Sequence, residues 1–174
     1  MCGFIGELRF GQSEFREREW DKALQVIHHR GPDSTGQYRD SDIALGFKRL
    51  SIIDLYHGDQ PLSYEDGRYQ IVFNGEIYNY IELREALIAK GYQFQTDSDT
   101  EVIIAMYADM GDACVNELRG MFAFTIWDTV EKVLFGARDP FGIKPFYYYE
   151  SKERLFFVFR AKKYVCLFCS RRYK

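Results

Sequence analysis

The sequence has no excess of charge of either sign. Its 23 Lys and Arg stand against 26 Asp and Glu, a formal net charge of -3. Nothing in that balance favours a nucleic acid or an anionic membrane surface as partner. No apolar run is long enough to span a bilayer. No basic segment leads into an apolar stretch at the N-terminus, which argues against a secretory signal. Cysteine is scarce: Cys2, Cys114, Cys166 and Cys169 do not make the paired framework of a secreted domain, so a reducing, cytoplasmic setting is expected. Cys166 and Cys169 form a lone CxxC with no second pair. His28 and His29 have no other ligand at metal spacing, so no metal site is expected. There is no internal repeat and no low-complexity linker.

What is present is an ordinary globular composition, 47% hydrophobic and 28% charged over 174 residues, enough for one domain with a real core. Aromatics are high at 17%, so large side chains should dominate that core.

The order of patterned segments is mixed. Residues 3–10 read as a strand. Residues 14–29 carry Trp20, Ala23, Leu24 and Ile27 at helical spacing and end at Pro32. Strands are expected over 43–53 and over 69–75, the latter closing in Asn-Gly. Asn79 with Glu82, and Ser98 with Glu101, read as two capping-box helix starts. The helices should stop at Gly91 and Gly111, and Cys114 should fall in a short helix ending near Gly120. Strands at 121–127, 132–138, 146–149 and 154–157 should close the chain as an antiparallel meander. The expected class is α+β.

Four segments could carry chemistry. Cys2 stands directly behind Met1. If the methionine is removed, one residue carries a thiol and a free α-amino group whose reference pKa is ~7.7–8, a nucleophile with its own base. In "FNGEIYN", the Asn74 side chain and the Gly75 backbone could each donate an N–H to a developing oxyanion. The competing reading of Asn74-Gly75 is a plain hairpin turn. In "KRLSIID", Arg49 could clamp a substrate carboxylate with two parallel hydrogen bonds, or be an ordinary surface arginine. In "TDSDTE", Asp97 or Asp99 could cap a helix or accept from a substrate ammonium. Arg138, Asp139 and Lys144 could form an ion network or a pocket wall. Together these are the requirements for hydrolysing an amino-acid amide: nucleophile, base, oxyanion donors, carboxylate clamp and ammonium acceptor.

The segments "MCGFIG", "HHRGPDSTG", "RLSIID", "QPL", "FNGEIYNY", "SDTEVI", "GMFAF" and "ARDPFGIKPFYY", in this order over residues 2–157, resemble the glutamine amidotransferase domain of glutamine-hydrolysing asparagine synthetases. The resemblance implies an N-terminal-nucleophile hydrolase fold, a four-layer αββα sandwich of two mainly antiparallel sheets. It implies that Cys2 attacks the side-chain amide of L-glutamine through a thioester. Arg49 would bind the glutamine carboxylate, with the backbone of Leu50, Ser51, Ile52 and Ile53 beside it. Asn74 and Gly75 would form the oxyanion hole, and Glu76 and Asp99 would hold the α-amino end. Glutamine hydrolysis would need no cofactor. ATP and magnesium would serve only a synthetase domain, whose Ser-Gly-Gly type pyrophosphate loop does not occur in these 174 residues, so asparagine synthesis is not expected from them alone.

The domain is expected over 1–157, with its C-terminal part incomplete. Residues 158–174 are basic, aromatic and cysteine-bearing, and read as a divergent tail. Two rival readings remain: the amidotransferase domain of a glucosamine-phosphate synthase or amidophosphoribosyltransferase type of enzyme, or a non-catalytic remnant.

Overall fold

Apolar residues at alternate positions build an antiparallel sheet in each of two units of the chain. The computed structural model describes residues 2–11, 13–50 and 59–159. The first unit is Met1–Leu50 with Pro145–Lys174; the second is Ser51–Lys144.

The first unit holds strands β1 (Gly3–Arg9), β2 (Ser34–Arg39), β3 (Ile43–Arg49), β8 (Tyr147–Glu150) and β9 (Arg154–Val158), in the spatial order β2-β3-β1-β9-β8. Every pairing is antiparallel. Alternation sorts the side chains of β1. Ile5 joins Ala44 and Val158 under helix α1 (Glu17–Val26), whose Trp20, Ala23 and Leu24 face the sheet, with Ile27 just beyond it. Phe4, one residue away, lies on the opposite face and meets the rings of Phe146 and Phe159. Arg154 ties β9 to β1 through an almost fully buried pair, its Nη1 donating to Glu7 Oε1 at 2.6 Å.

The second unit holds β4 (Leu62–Tyr64), β5 (Tyr69–Ile77), β6 (Gly120–Asp128) and β7 (Val133–Arg138), again all antiparallel and in sequence order. Helices α2 (Tyr80–Ala89) and α3 (Asp99–Met110) follow β5. One face of the sheet, including Ile71, Phe73, Ile77, Phe122 and Phe124, packs against Ile103 and Ile104 of α3. That periodicity leaves Gln70, Val72, Asn74 and Glu76 on the other face.

Several expectations need correction. The helix expected over 14–29 is α1 and a separate 3-10 turn, His28–Arg30. The strand expected over 43–53 ends at Arg49, and residues 51–58 lie outside the described residues. The strand expected to close at Asn-Gly runs two residues further, to Ile77, with Asn74 opposite Ala123 and Gly75 opposite Phe122. The hairpin reading of Asn74-Gly75 is therefore excluded. Asn79 stands at the N-cap of α2 as expected, but its side chain makes no capping bond; it accepts from Arg119 N and donates to Glu117 O, both at 2.9 Å. Ser98 does cap α3, accepting from Glu101 N at 3.3 Å.

The closing strands are not one meander. β6 and β7 form a hairpin in the second unit, and β8 and β9 one in the first. Asp139 directs the chain out of the first hairpin. Its buried carboxylate accepts from the backbone of Phe122, Ile143 and Lys144. Burial alone would raise its pKa, but these backbone N–H groups outweigh burial and hold it below the usual carboxylate range. The segment is a backbone-fixing loop in which Asp139 binds amides. Residues 160–174, most of the expected tail, lie outside the described residues; Val158 and Phe159 are buried.

Candidate active site

Cys2 precedes β1, whose ladder with β3 pairs Gly3 with Lys48. The same register brings Cys2 alongside the end of β3. Leu50 N donates to Cys2 Sγ at 3.4 Å, and the thiol lies 3.7 Å from Leu50 O. Cys2 is a free, half-buried thiol. Arg49, the last residue of β3, is 6% exposed, so the surface-arginine reading fails. The 3-10 turn and Gly31 shape this end of the strand: Asp33 N donates to Arg49 O at 3.1 Å. A Cβ on Gly31 would stand 2.3 Å from Lys48 O and 2.4 Å from Arg49 C. Only glycine permits the two backbones to approach this closely. The structure thus brings together Cys2, Arg49 and Leu50. Ser51, Ile52 and Ile53 lie outside the described residues.

In the second unit, Asn74, Gly75 and Glu76 are consecutive on β5. Gly75 is again a close approach, since a Cβ there would stand 2.2 Å from Met121 O and 2.7 Å from Phe122 Cα. Asn74 is 5% exposed. Its Nδ2 is buried and has no acceptor among the described residues. A buried, unmet amide donor costs about 1–3 kcal/mol, so this N–H is held where only an added acceptor would complete it. Asp99 opens α3, and its Oδ2 accepts from Ile77 N at 3.0 Å. Burial pushes the Asp99 carboxyl up to about 6; the Ile77 N–H opposes the rise and the neighbouring Glu76 charge adds to it. Asp97 does not share this role. Its side chain is 91% exposed and pairs with Arg84 at 3.1 Å.

The other described cysteine contrasts with Cys2. Cys114 is fully buried in the short 3-10 helix Gly111–Asn116, and burial pushes its thiol up to about 12, with Asp112 adding to the shift. It is an inert core thiol. Cys166 and Cys169 lie outside the described residues.

A family profile described as the glutamine amidotransferase domain matches residues 1–167. The chain belongs to this family. Among curated relatives, the domain is 53% identical over 165 residues to asparagine synthetase [glutamine-hydrolyzing] 1 of Bacillus subtilis, covering 93% of this chain and 26% of the relative. It is 39% identical to a putative asparagine synthetase [glutamine-hydrolyzing] 2 of Methanocaldococcus jannaschii, covering 34% of it. The chain therefore spans about a quarter to a third of the length of these relatives. Among solved structures, the B. subtilis glutamine phosphoribosylpyrophosphate amidotransferase complexed with ADP and GMP matches with a TM-score of 0.76 at 21% identity, covering 96% of this chain and 43% of that one. The likeness shows a shared α+β fold, with two antiparallel sheets and helices.

Two positions in this region carry no chemical signal in the sequence. Gly31 reads as loop punctuation, and Gln60 as part of a loop. Among the described residues, no helix is long and apolar enough to cross a membrane.

Proposed function

We propose that this domain hydrolyses L-glutamine to glutamate and ammonia through a Cys2 thioester. In the relatives' setting, the ammonia goes to ATP-dependent amidation of aspartate by a synthetase domain. The observation that carries the reading is the buried Asn74 Nδ2, without an acceptor among the described residues, beside Gly75 on a central strand.

Removal of Met1 frees the α-amine of Cys2. The amine takes the thiol proton, directly or through one water, and the sulfur forms a bond to the glutamine side-chain carbonyl carbon. The negative charge moves to the carbonyl oxygen, where Asn74 Nδ2–H and the Gly75 N–H receive it. The C–N bond then breaks, the ammonium of Cys2 returns the proton to the leaving nitrogen, and ammonia departs. Water repeats the sequence on the thioester and releases glutamate. Arg49 holds the substrate carboxylate and Asp99, with Glu76, its ammonium. None of these steps needs a cofactor; ATP and magnesium belong to the later amidation.

The phosphoribosyl-aminating alternative shares the fold but only 21% identity, against 53% for the asparagine synthetase relative, and we favour the latter. The test is the purified chain with glutamine, followed by 6-diazo-5-oxonorleucine. Glutamate and ammonia should appear, and the intact mass should show loss of Met1 and one adduct on Cys2. A chain that retains Met1, or that turns over no glutamine, would overturn the proposal and support the non-catalytic reading.

A further inference from the structure

Pro61 has no N–H to donate, and β4 begins only at Leu62. The β4–β5 register pairs Leu62 with Ile71, so continuation of the ladder would bring residue 60 opposite Phe73. The side chain of Gln60 takes over there. Its Oε1 accepts from Phe73 N at 2.6 Å, and its Nε2 donates to Thr100 Oγ1 at 3.3 Å. Gln60 and Thr100 are both buried, at 8% and 5% exposure.

The two partners are informative. Phe73 directly precedes Asn74, and Thr100 directly follows Asp99. One amide group therefore ties the strand that presents the Asn74 donor to the helix turn that presents the Asp99 carboxylate. The bond from Ile77 N to Asp99 Oδ2 ties the same two elements again at the end of β5. With two tethers the turn cannot pivot about a single hydrogen bond.

We propose that Gln60 is a positioning residue that sets the spacing between the Asn74 N–H and the Asp99 carboxylate, and so selects glutamine over asparagine. The two substrates share an α-ammonium and a side-chain amide, and differ by one methylene between them. The inference rests on the roles proposed above for Asn74 and Asp99. Gln60 itself touches no substrate.

Gln70 supplies the control. It is also a buried glutamine of this sheet, but its Nε2 bonds Ser63 Oγ and Gly67 O at the far end of β5. The experiment measures kcat/KM for L-glutamine. It also measures the rates at which 6-diazo-5-oxonorleucine and its asparagine-length homologue 5-diazo-4-oxonorvaline label Cys2, read by intact mass. Gln60→Leu removes both hydrogen bonds. Thr100→Val removes one and preserves side-chain shape, and serves alone if Gln60→Leu does not fold. In either variant kcat/KM for glutamine should fall by roughly 10–100-fold, as expected of an ångström-scale misplacement. The preference for the longer diazoketone should fall in parallel. Gln70→Leu should lower thermal stability and leave that preference unchanged. A folded Gln60→Leu or Thr100→Val protein with wild-type preference overturns the inference alone. A wild-type chain inert to glutamine and to both reagents overturns the functional reading, and this one with it.

Discussion

The Cys2 group and the Asn74 group are held by different means. Around Cys2, main chain does most of the holding: Leu50 N donates to the Cys2 sulfur, Asp33 N donates to Arg49 O, and Gly31 lies against the Lys48–Arg49 backbone. Around Asn74, where Gly75 also packs closely on the Met121–Phe122 backbone, side chains are added as tethers: the Gln60 amide oxygen accepts from Phe73 N and the Asp99 carboxylate from Ile77 N. A backbone-packed group fails when a Cβ is added. A side-chain-tethered group fails when a polar atom is removed, and it responds to pH if that atom titrates. The tethered group also carries a buried donor with no acceptor among the described residues, Asn74 Nδ2.

The largest expected effect separates the two described cysteines. Cys2→Ala should abolish glutamine hydrolysis, whereas Cys114→Ala should leave most of it and lower the melting temperature, since Cys114 fills a buried position. Full activity in Cys2→Ala would remove the central proposal. Next, Asn74→Ala should lower kcat by roughly 10²–10³, the loss of one oxyanion donor. Because the deleted N–H has no acceptor among the described residues, its thermal stability should fall far less than that of Gly75→Ala, whose new Cβ would stand 2.2 Å from Met121 O. Equal losses of stability would mean that Asn74 is structural.

A smaller effect is expected from the carboxylate clamp. Charge-assisted hydrogen bonds contribute ~1.5–3 kcal/mol, roughly 10–150-fold in affinity. Arg49→Ala should therefore raise KM for glutamine by about that factor with a lesser change in kcat. Gly31→Ala should reproduce part of that rise without touching the guanidinium, because its Cβ displaces the Arg49 backbone. Steady-state kinetics on both variants decide this. An unaltered KM in Arg49→Ala would reassign the clamp.

How much of this could be read from the sequence follows the same division. Strongly apolar or well-capped elements were legible: β1, β6 and α3, with Ser98 capping as its spacing with Glu101 suggests. Elements that owe their place to partners were not. β2, "STGQYR", is an edge strand with half-exposed alternation, and three-residue β4 is too short for any period. The Asn79–Glu82 spacing marked the start of α2 but not the capping bond, because the Asn79 side chain is engaged by the distant Glu117–Arg119 backbone. The closing strands read as one meander because local pattern does not say which sheet a hairpin joins. The candidate chemical residues were proposed from their types. Gln60 and Gly31 were not, because their roles lie in whose backbone they face.

The smallest expected effect is a pH dependence, and its sign sets Asp99 apart from Asp128 and Asp139. Burial raises the folded-state pKa of Asp99 from 3.8 to about 6. Between those values the folded protein binds the proton that the unfolded chain releases. This carboxyl therefore adds stability as pH falls from about 6 towards 4, and destabilises the fold at neutral pH by an amount on the order of 1–3 kcal/mol. Asp139 and Asp128, whose pKa values lie below normal, work in the opposite direction, contributing stability above the ordinary carboxylate pKa that is lost on acidification. Asp99→Asn keeps an oxygen that can accept from Ile77 N but removes the buried charge. It should raise the melting temperature at pH 7 by a few degrees, an increment that shrinks as pH falls below 6. The ionised form is the one that meets a substrate ammonium, so KM for glutamine in the wild-type chain should rise as pH drops through 6, and in Asp99→Asn it should be high and flat. A variant less stable than wild type at pH 7, with an unchanged KM profile, would show that the Asp99 charge is compensated within the fold and has no part in holding the ammonium.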